Sequence, residues 1–414
     1  MRISPLSGQV SITGCPAHHE GMGALVRKAP VAMAMVTAVS FLAACSTNHR
    51  TQAHTPPTAP VTTTSLSPSS TTTAPAAGGA PVGPGGFKAI SVSFVSARTG
   101  WVLGGGPCPD PSCAPTYRTD TRLYRTDDGG RTWQAVNAPP AQLADHGSGE
   151  AVRFANLSDG WVSLPEVWAT HDGGAHWARQ PFENAYALET AGGFVHVVTS
   201  GPGGYKFRIL TSPVHSDAWH SSGADVESGA GPVPQAQLVL HGNQGWILFI
   251  NRGTLSGARL QGGRWVPWKT PCIDGSPGVL AASTDRNLVA HCAEGVWNDK
   301  PPQDLVFVSS DGGVVFHQVS TPLPVGFGGD IGTATPTTWV LAAFDGDSRP
   351  QLFRTADAGR TWKAVYHGDG SAGLTDLGFT TPQQGVVISE GEGQSGRLFM
   401  TYDGGETWSP VSIP

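Results

Sequence analysis

Thr126-Asp127-Asp128-Gly129-Gly130-Arg131-Thr132-Trp133 is the stretch on which the reading of this chain turns, because it recurs. It returns as Thr170-His171-Asp172-Gly173-Gly174-Ala175-His176-Trp177 and as Ser309-Ser310-Asp311-Gly312-Gly313-Val314-Val315-Phe316. Two later copies are Thr355-Ala356-Asp357-Ala358-Gly359-Arg360-Thr361-Trp362 and Thr401-Tyr402-Asp403-Gly404-Gly405-Glu406-Thr407-Trp408. The shared form is Ser/Thr-x-Asp-x-Gly-x-x-Trp/Phe. Its chemistry is that of a turn. The aspartate accepts hydrogen bonds from backbone N–H groups, and the second glycine supplies a positive φ. The hydroxyl pins the strand that enters the turn. The aromatic residue starts the next strand and fills space between sheets. Asp128, Gly130, Trp133, Asp172, Gly174, Trp177, Asp311, Gly313, Phe316, Asp357, Gly359, Trp362, Asp403, Gly405 and Trp408 are therefore read as structural, with Trp362 and Trp408 expected to be buried between sheets and Asp357 and Asp403 to hold their turns.

Successive copies start at 126, 170, 309, 355 and 401, spacings of 44, 139, 46 and 46 residues. The gap of 139 is close to three periods and should hide two eroded copies. Thr211 to Trp219 keeps the hydroxyl, an Asp and the Trp at altered spacing, and Gln261-Gly262-Gly263-Arg264-Trp265 keeps Gly-Gly and Trp without the Asp. A second pattern counts the repeats independently. Ile90, Val92 and Phe94 alternate with serines, a half-buried strand; a polar turn ends at Gly100 and Trp101-Val102 follows. The matching pairs are Trp161-Val162, Phe194-Val195, Trp246-Ile247, Leu288-Val289, Trp339-Val340 and Val386-Val387, which again makes seven. The mean period of 47.5 residues accommodates four short strands with their turns. The expected fold is all-β: a seven-bladed β-propeller of four-stranded antiparallel blades over 87–414.

Composition agrees. Among 414 residues there are 55 Gly and 34 Pro, and only 14% are charged, which suits short strands and many turns. The net charge of −6 carries no basic stripe. A nucleic-acid partner is excluded on that ground, since phosphate contact needs clustered Lys and Arg. At the other end of the chain, Arg27 and Lys28 precede an apolar run from Val31 to Phe41 and then Leu42-Ala43-Ala44-Cys45. This is the order of a secretory signal, and the run is too short to span a bilayer. Residues 1–44 are read as the signal, with 1–21 a doubtful upstream extension. Residues 45–86, rich in Thr, Pro and Ser, cannot bury enough apolar surface to order and are read as a tether.

Cys108 and Cys113 stand close together in a loop of the first repeat, and Cys272 and Cys292 flank the first strand region of the fifth. An exported chain pairs such cysteines as disulfides, 108 with 113 and 272 with 292; a metal site is the alternative, but no His stands at ligand spacing. No metal and no cofactor are expected. His215 and His220 are read as surface residues. Asp345-Gly346-Asp347 and Glu390-Gly391-Glu392 occupy equivalent loops of the sixth and seventh repeats. Asp345, Asp347, Glu390 and Glu392 are placed on the functional face, where solvated loop charge competes with binding of a cation or basic ligand.

The five turns resemble the Asp-box, or BNR, repeats of the sialidase superfamily, and the Gly-Trp-Val cassette resembles the photosystem II assembly and stability factors and their bacterial relatives. The resemblance implies that the boxes lie between the third and fourth strands of each blade, opposite the functional face. Leu-Ala-Ala-Cys resembles the bacterial lipobox, which implies a lipid on Cys45 and a propeller held at the outer face of the cytoplasmic membrane or in the envelope. A sialidase would need an arginine triad and a Phe/Tyr-Arg-Ile-Pro motif. The nearest string, Phe207-Arg208-Ile209-Leu210, lacks the proline and reads as a third strand. The expected function is an exported binding or assembly module, monomeric, with a protein or glycan ligand and no catalytic residues. The alternative is a secreted glycan-active hydrolase, and convergence of two carboxylates or three arginines in the central funnel separates the two.

Overall fold

The computed structural model describes residues 86–414 except 107–118, 144–149, 165, 202–205, 228–234, 252–253, 273–277, 295–302, 320–327, 346–348, 369–372 and 391–395. Cys45, the signal, most of the tether, Cys108, Cys113, Asp347 and Glu392 lie outside the described residues.

Seven antiparallel sheets follow one another along the chain, over residues 88–143, 151–183, 185–227, 235–268, 278–318, 328–367 and 373–410. Each orders its strands as the chain delivers them, innermost first and outermost last. The outermost strand is split into two short pieces in blades one and three. Every pair predicted to open a second strand does so: Trp101, Trp161, Phe194, Trp246, Leu288, Trp339 and Val386 stand at or within two residues of its start.

The boxes join third to fourth strands. In the first, Thr126 Oγ1 donates to Asp128 Oδ1 (2.9 Å) and accepts the Gly130 N–H (2.8 Å), while Asp128 Oδ1 accepts the N–H groups of Arg131 and Thr132 at 3.0 and 2.9 Å. Around Asp172, Asp311, Asp357 and Asp403 the hydroxyl-to-carboxylate bond, the glycine N–H to the hydroxyl and the N–H four residues after the Asp recur, and the N–H three residues after it recurs at Asp311 and Asp403. The positive φ extends over two residues and not only the second glycine. Gly129 and Gly130 lie at 76° and 88°, and Ala358 itself takes 60° ahead of Gly359. The first of the two also donates its N–H back to the loop between the first and second strands, Gly129 to Arg98 O at 2.7 Å and Gly173 to Ser158 O at 2.8 Å. The box thus closes one hairpin and props another.

Burial is distributed differently from expectation. Trp362 and Trp408 are only half-buried, as is Trp177, while Trp133 alone of the box tryptophans is buried, at 4% exposure. The fully buried tryptophans are Trp101, Trp161, Trp246 and Trp339 of the second strands. A box tryptophan sits at the rim, where its ring covers the end of the seam with the preceding blade: Trp177 borders the core between blades one and two, Trp408 that between six and seven. Trp101 points the other way, into the middle of the seam with blade two, and stacks on Phe154 at 3.8 Å and 5°. Gly100 is required beside it, because a Cβ there would meet the Phe94 ring at 2.5 Å. Trp339 departs from this scheme. It pairs with Thr355, the place that Gly100 takes opposite Thr126, so its ring turns back into the seam with blade five.

Among the described residues the ring closes without exchange of a strand. Blade seven is built wholly from the last residues and blade one from the first. Their seam is held by a core that includes Val92, Val102, Trp133, Val386, Ile388 and Met400, with Ile413 added from beyond the last strand. Polar contacts border it: Ala89 N–H to Gly396 O at 2.8 Å, Tyr402 OH to Gly129 O at 2.9 Å, and Arg131 over the Tyr402 ring at 5.2 Å.

Two outcomes follow from this packing. Trp101→Ala empties a fully buried seam and should cost about 3–5 kcal/mol, whereas Trp362→Ala should cost distinctly less because part of its surface already faces solvent. Urea denaturation of the two variants checks this, and equal losses would contradict the assignment. The box carboxylates make the second. Hydrogen bonds from Thr132 hold Asp128, from His176 hold Asp172, and from Thr361 hold Asp357 at about 2, below the ordinary 3.8. A depressed carboxyl contributes its stability above the unfolded value and loses it on protonation. Stability should therefore fall as pH drops from 3.8 through about 2. Denaturation across that range should show a shallower fall for Asp128→Asn than for the natural chain.

Candidate functional site

The first strands of all seven blades surround a central channel of about 390 Å³. An inner strand of alternating Val, Leu and Ser leaves little reason for charge, yet Val152-Arg153-Phe154 carries an arginine into the channel. Arg153 is mostly buried, and it touches three other blades. Its Nε donates to Glu189 of blade three, Nη1 to Ser91 Oγ of blade one at 2.9 Å, and Nη2 to Asp376 of blade seven at 3.4 Å. The second oxygen of Asp376 accepts the Val92 N–H at 2.6 Å. A slip of register between Thr375 and Gly378, with Asp376 at φ 51°, interrupts the regular pairing there. Irregularities of this kind re-aim side chains, and Asp tolerates the left-handed region better than most residues.

The electrostatics are those of a closed group. Burial pushes the Glu189 carboxyl above its usual range, against the opposing charge of Arg153. Burial also opposes charge on Arg153, but Glu189 and Asp376 outweigh it and hold the guanidinium above its ordinary value. Elsewhere in the channel the polar groups stitch neighbouring inner strands. Gln237 of blade four donates to Leu280 O and accepts Leu280 N–H, at 3.1 and 2.7 Å. Asp330 of blade six accepts Leu377 N–H at 3.3 Å, and Ser93 accepts Phe154 N–H at 3.0 Å.

Two carboxylates do meet in the funnel, Glu189 and Asp376, but they meet on one guanidinium. A glycosidase needs one to protonate or shield the leaving group and the other to attack or activate water. Among the described residues the channel holds one arginine, Arg153, so an arginine triad is not assembled there.

Cys272 and Cys292 are joined by a disulfide, with Cα atoms 5.4 Å apart. Phe207-Arg208-Ile209-Leu210 lies in the third strand of blade three, as read. Asp345 sits between the second and third strands of blade six, at the opposite end of the third strand Pro350–Thr355 from the box. Its carboxylate accepts Arg349 N–H and Gln351 Nε2 at 2.9 and 2.7 Å and so closes its own loop. Glu390 ends the second strand of blade seven.

His215 is exposed but not idle. The buried Asp159 of blade two accepts both His171 Nδ1 (2.7 Å) and His215 Nδ1 (2.8 Å). His171 Nε2 lies 3.4 Å from Asp217, which also takes Gln180 Nε2 at 3.1 Å. The Asp and Trp of the eroded copy in blade three, Asp217 and Trp219, thus serve this interblade network rather than a box. Burial opposes charge on His171, but its bonds to Asp159 and Asp217 hold it above the usual value. Burial would raise Asp159, but Asn156, His171 and His215 hold it below. The sequence carries no signal for this cluster, because its members belong to different repeats.

Breaking the channel group tests its role. Arg153→Met leaves the partly buried Glu189 without its counter-charge and should cost about 1–3 kcal/mol, with much of the loss recovered in Arg153→Met/Glu189→Gln. Chemical denaturation measures both, and an Arg153→Met protein as stable as the natural chain would show that the group does not tie the blades.

No protein-family model matches the chain. A xyloglucanase of Hypocrea jecorina (strain QM6a) is 25% identical over 255 residues, which is 59% of this chain and 28% of the relative. Among solved structures, YCF48 bound to D1 peptide matches with 19% identity and TM-score 0.55, covering 77% of this chain and 94% of that one. YCF48 from Cyanidioschyzon merolae matches with 16% identity and TM-score 0.53, over 77% and 96%. The β-propeller domain of the Trilobed protease from Pyrococcus furiosus gives 9% and 0.51, over 79% and 98%. The chain is a seven-bladed β-propeller with YCF48 among its structural neighbours and a xyloglucanase among its sequence relatives.

Proposed function

We propose that this chain is an exported, lipid-anchored binding module, tethered through Cys45 and residues 46–86. It engages a protein partner through the loops between second and third strands. We assign its five intact turns to the Asp-box class on their sequence and hydrogen bonds. The observation that carries the reading is the engagement of Glu189 and Asp376 by Arg153. Carboxylates held in this way stabilise the ring and are poorly disposed to attack or to exchange protons with a substrate. The segments that join second to third strands, at the far end of the third strands from the boxes, differ in length and sequence from blade to blade. YCF48, a fold-level neighbour, is a propeller found with a peptide bound. The second reading, a glycan hydrolase, is favoured by the xyloglucanase relative.

Photo-cross-linking in envelope membranes separates the two readings. A benzoylphenylalanine at Asp347 should capture a defined envelope protein, and one at Val314, on the box rim, should not. Purified chain should leave xyloglucan intact. Xyloglucan cleavage that is lost in Glu189→Gln or Asp376→Asn would replace the binding reading with the enzymatic one. Capture from Val314 alone would reverse the assignment of faces.

A further inference from the structure

Five blades carry the same rim, in which a box turn is hydrogen-bonded to a long loop between the first and second strands. The accepting carbonyls are those of Arg98, Ser158, Arg286, Thr337 and Gln383. Blades three and four have neither part. Their first and second strands are joined by tight turns, Gly192-Gly193 and Gly242-Asn243, with positive φ at three of the four positions. In place of a box, Thr211 of blade three bonds to Ser222 and His196, and blade four turns on Gly262-Gly263 alone. The two missing rims are adjacent, and a cavity of about 370 Å³ opens between them. That lies within the range of small-ligand sites.

Its walls are specific. Leu240 and Leu260 supply apolar surface, Phe194 stands at the mouth with 44% of its area exposed, and Asn243 and Gln244 line the adjoining turn. None of the described residues lining it is Asp, Glu, Lys or Arg. Its deeply buried polar side chains are His196 and Thr211, each 4% exposed, and His196 is the one with a ring nitrogen to spare. Its Nδ1 receives the Trp265 indole N–H at 3.3 Å and contacts Thr211 Oγ1 at 2.9 Å. An indole nitrogen only donates, so Nδ1 is the acceptor and the ring proton sits on Nε2. Nε2 has no hydrogen-bond partner among the described residues. Burial, with His220 nearby, lowers the imidazole to about 4, so it stays neutral in this tautomer.

We propose that this notch binds a neutral pyranose of a β-linked glycan. A sugar with equatorial hydroxyls presents a flat C–H face to Phe194, a ring or hydroxyl oxygen to the His196 Nε2–H, and paired hydroxyls to the Asn243 and Gln244 amides. A charged ligand would find no counter-charge there and would lose its hydration. The site is on the box rim, opposite the loops assigned to a protein partner, and does not depend on that reading.

The full chain should give saturation-transfer signals with cellotetraose and a titration that saturates. Phe194→Ala should weaken this binding about tenfold, the size of effect of one lost stacking contact. Asn243→Ala should weaken it in the same direction. Both positions are exposed, so melting temperature should stay unchanged. Tetragalacturonate, its carboxylates ionised, should not compete. Absence of cellotetraose binding, equal binding by Phe194→Ala, or preference for the acidic oligomer or for a tyrosine-bearing peptide would each overturn the proposal.

Discussion

Closure of the ring between blades one and seven is the constraint on which the rest of this structure depends. Among the described residues no strand is exchanged across that seam, so the hydrogen-bond ladders within sheets do not hold it. Apart from the Ala89 N–H bond to Gly396 O, the work falls on side chains: the shared core of Val92, Val102, Val386 and Met400, the Asp376 carboxylate on the Val92 N–H, and the Tyr402 hydroxyl on Gly129 O. A propeller opened at one seam exposes two apolar sheet faces at once, because each blade buries both of its faces against neighbours. Arg153 makes the closure less local. By touching Ser91, Glu189 and Asp376 it couples the closing seam to blades two and three. Charge buried inside a protein seldom adds stability against an apolar alternative, but removing one partner is costly. Here the group specifies which strands face one another across the channel.

The parts of the fold legible in the sequence were those decided within a few residues. An Asp two positions after a Thr, with positive-φ residues following, needs only its own turn to make its bonds, so it survives as a readable motif in five repeats. Gly100 before Trp101 is readable for a related reason, since the glycine makes room for the ring of Phe94. Burial was less legible. Trp362 and Trp408 share the spacing of Trp133, yet they are more exposed, because a ring at the end of a seam is covered only as far as the preceding blade extends. Spacing reports the turn, whereas burial reports the neighbour.

The channel group was not legible at all. Arg153, Glu189 and Asp376 belong to three repeats, and only ring geometry brings them together. The one local hint was a charge between Val152 and Phe154 in a strand otherwise built for a core. His215 illustrates the same limit. Its exposure was readable from a polar loop, but its bond to Asp159 depends on the packing of blade three against blade two.

The two repeats that lost their boxes bear on function more than the five that kept them. A box and the long loop it props form one unit, since the turn's N–H needs the loop's carbonyl and the loop needs the turn's support. Losing the aspartate alone would leave unpaired donors at the rim, a cost without benefit. Blades three and four have neither part, and two-residue turns stand where the other blades have long loops. The core beneath remained intact, with Phe207 packed on Phe249 at 4.9 Å and Trp265 buried. Erosion confined to two neighbours, with the interior preserved, leaves a shaped opening rather than a weakened ring. It also separates two kinds of surface. The channel has spent its charges on holding blades together, while the rim between blades three and four keeps a neutral, oriented imidazole beside an exposed phenyl ring. Recognition has more room at the edge of this propeller than at its centre.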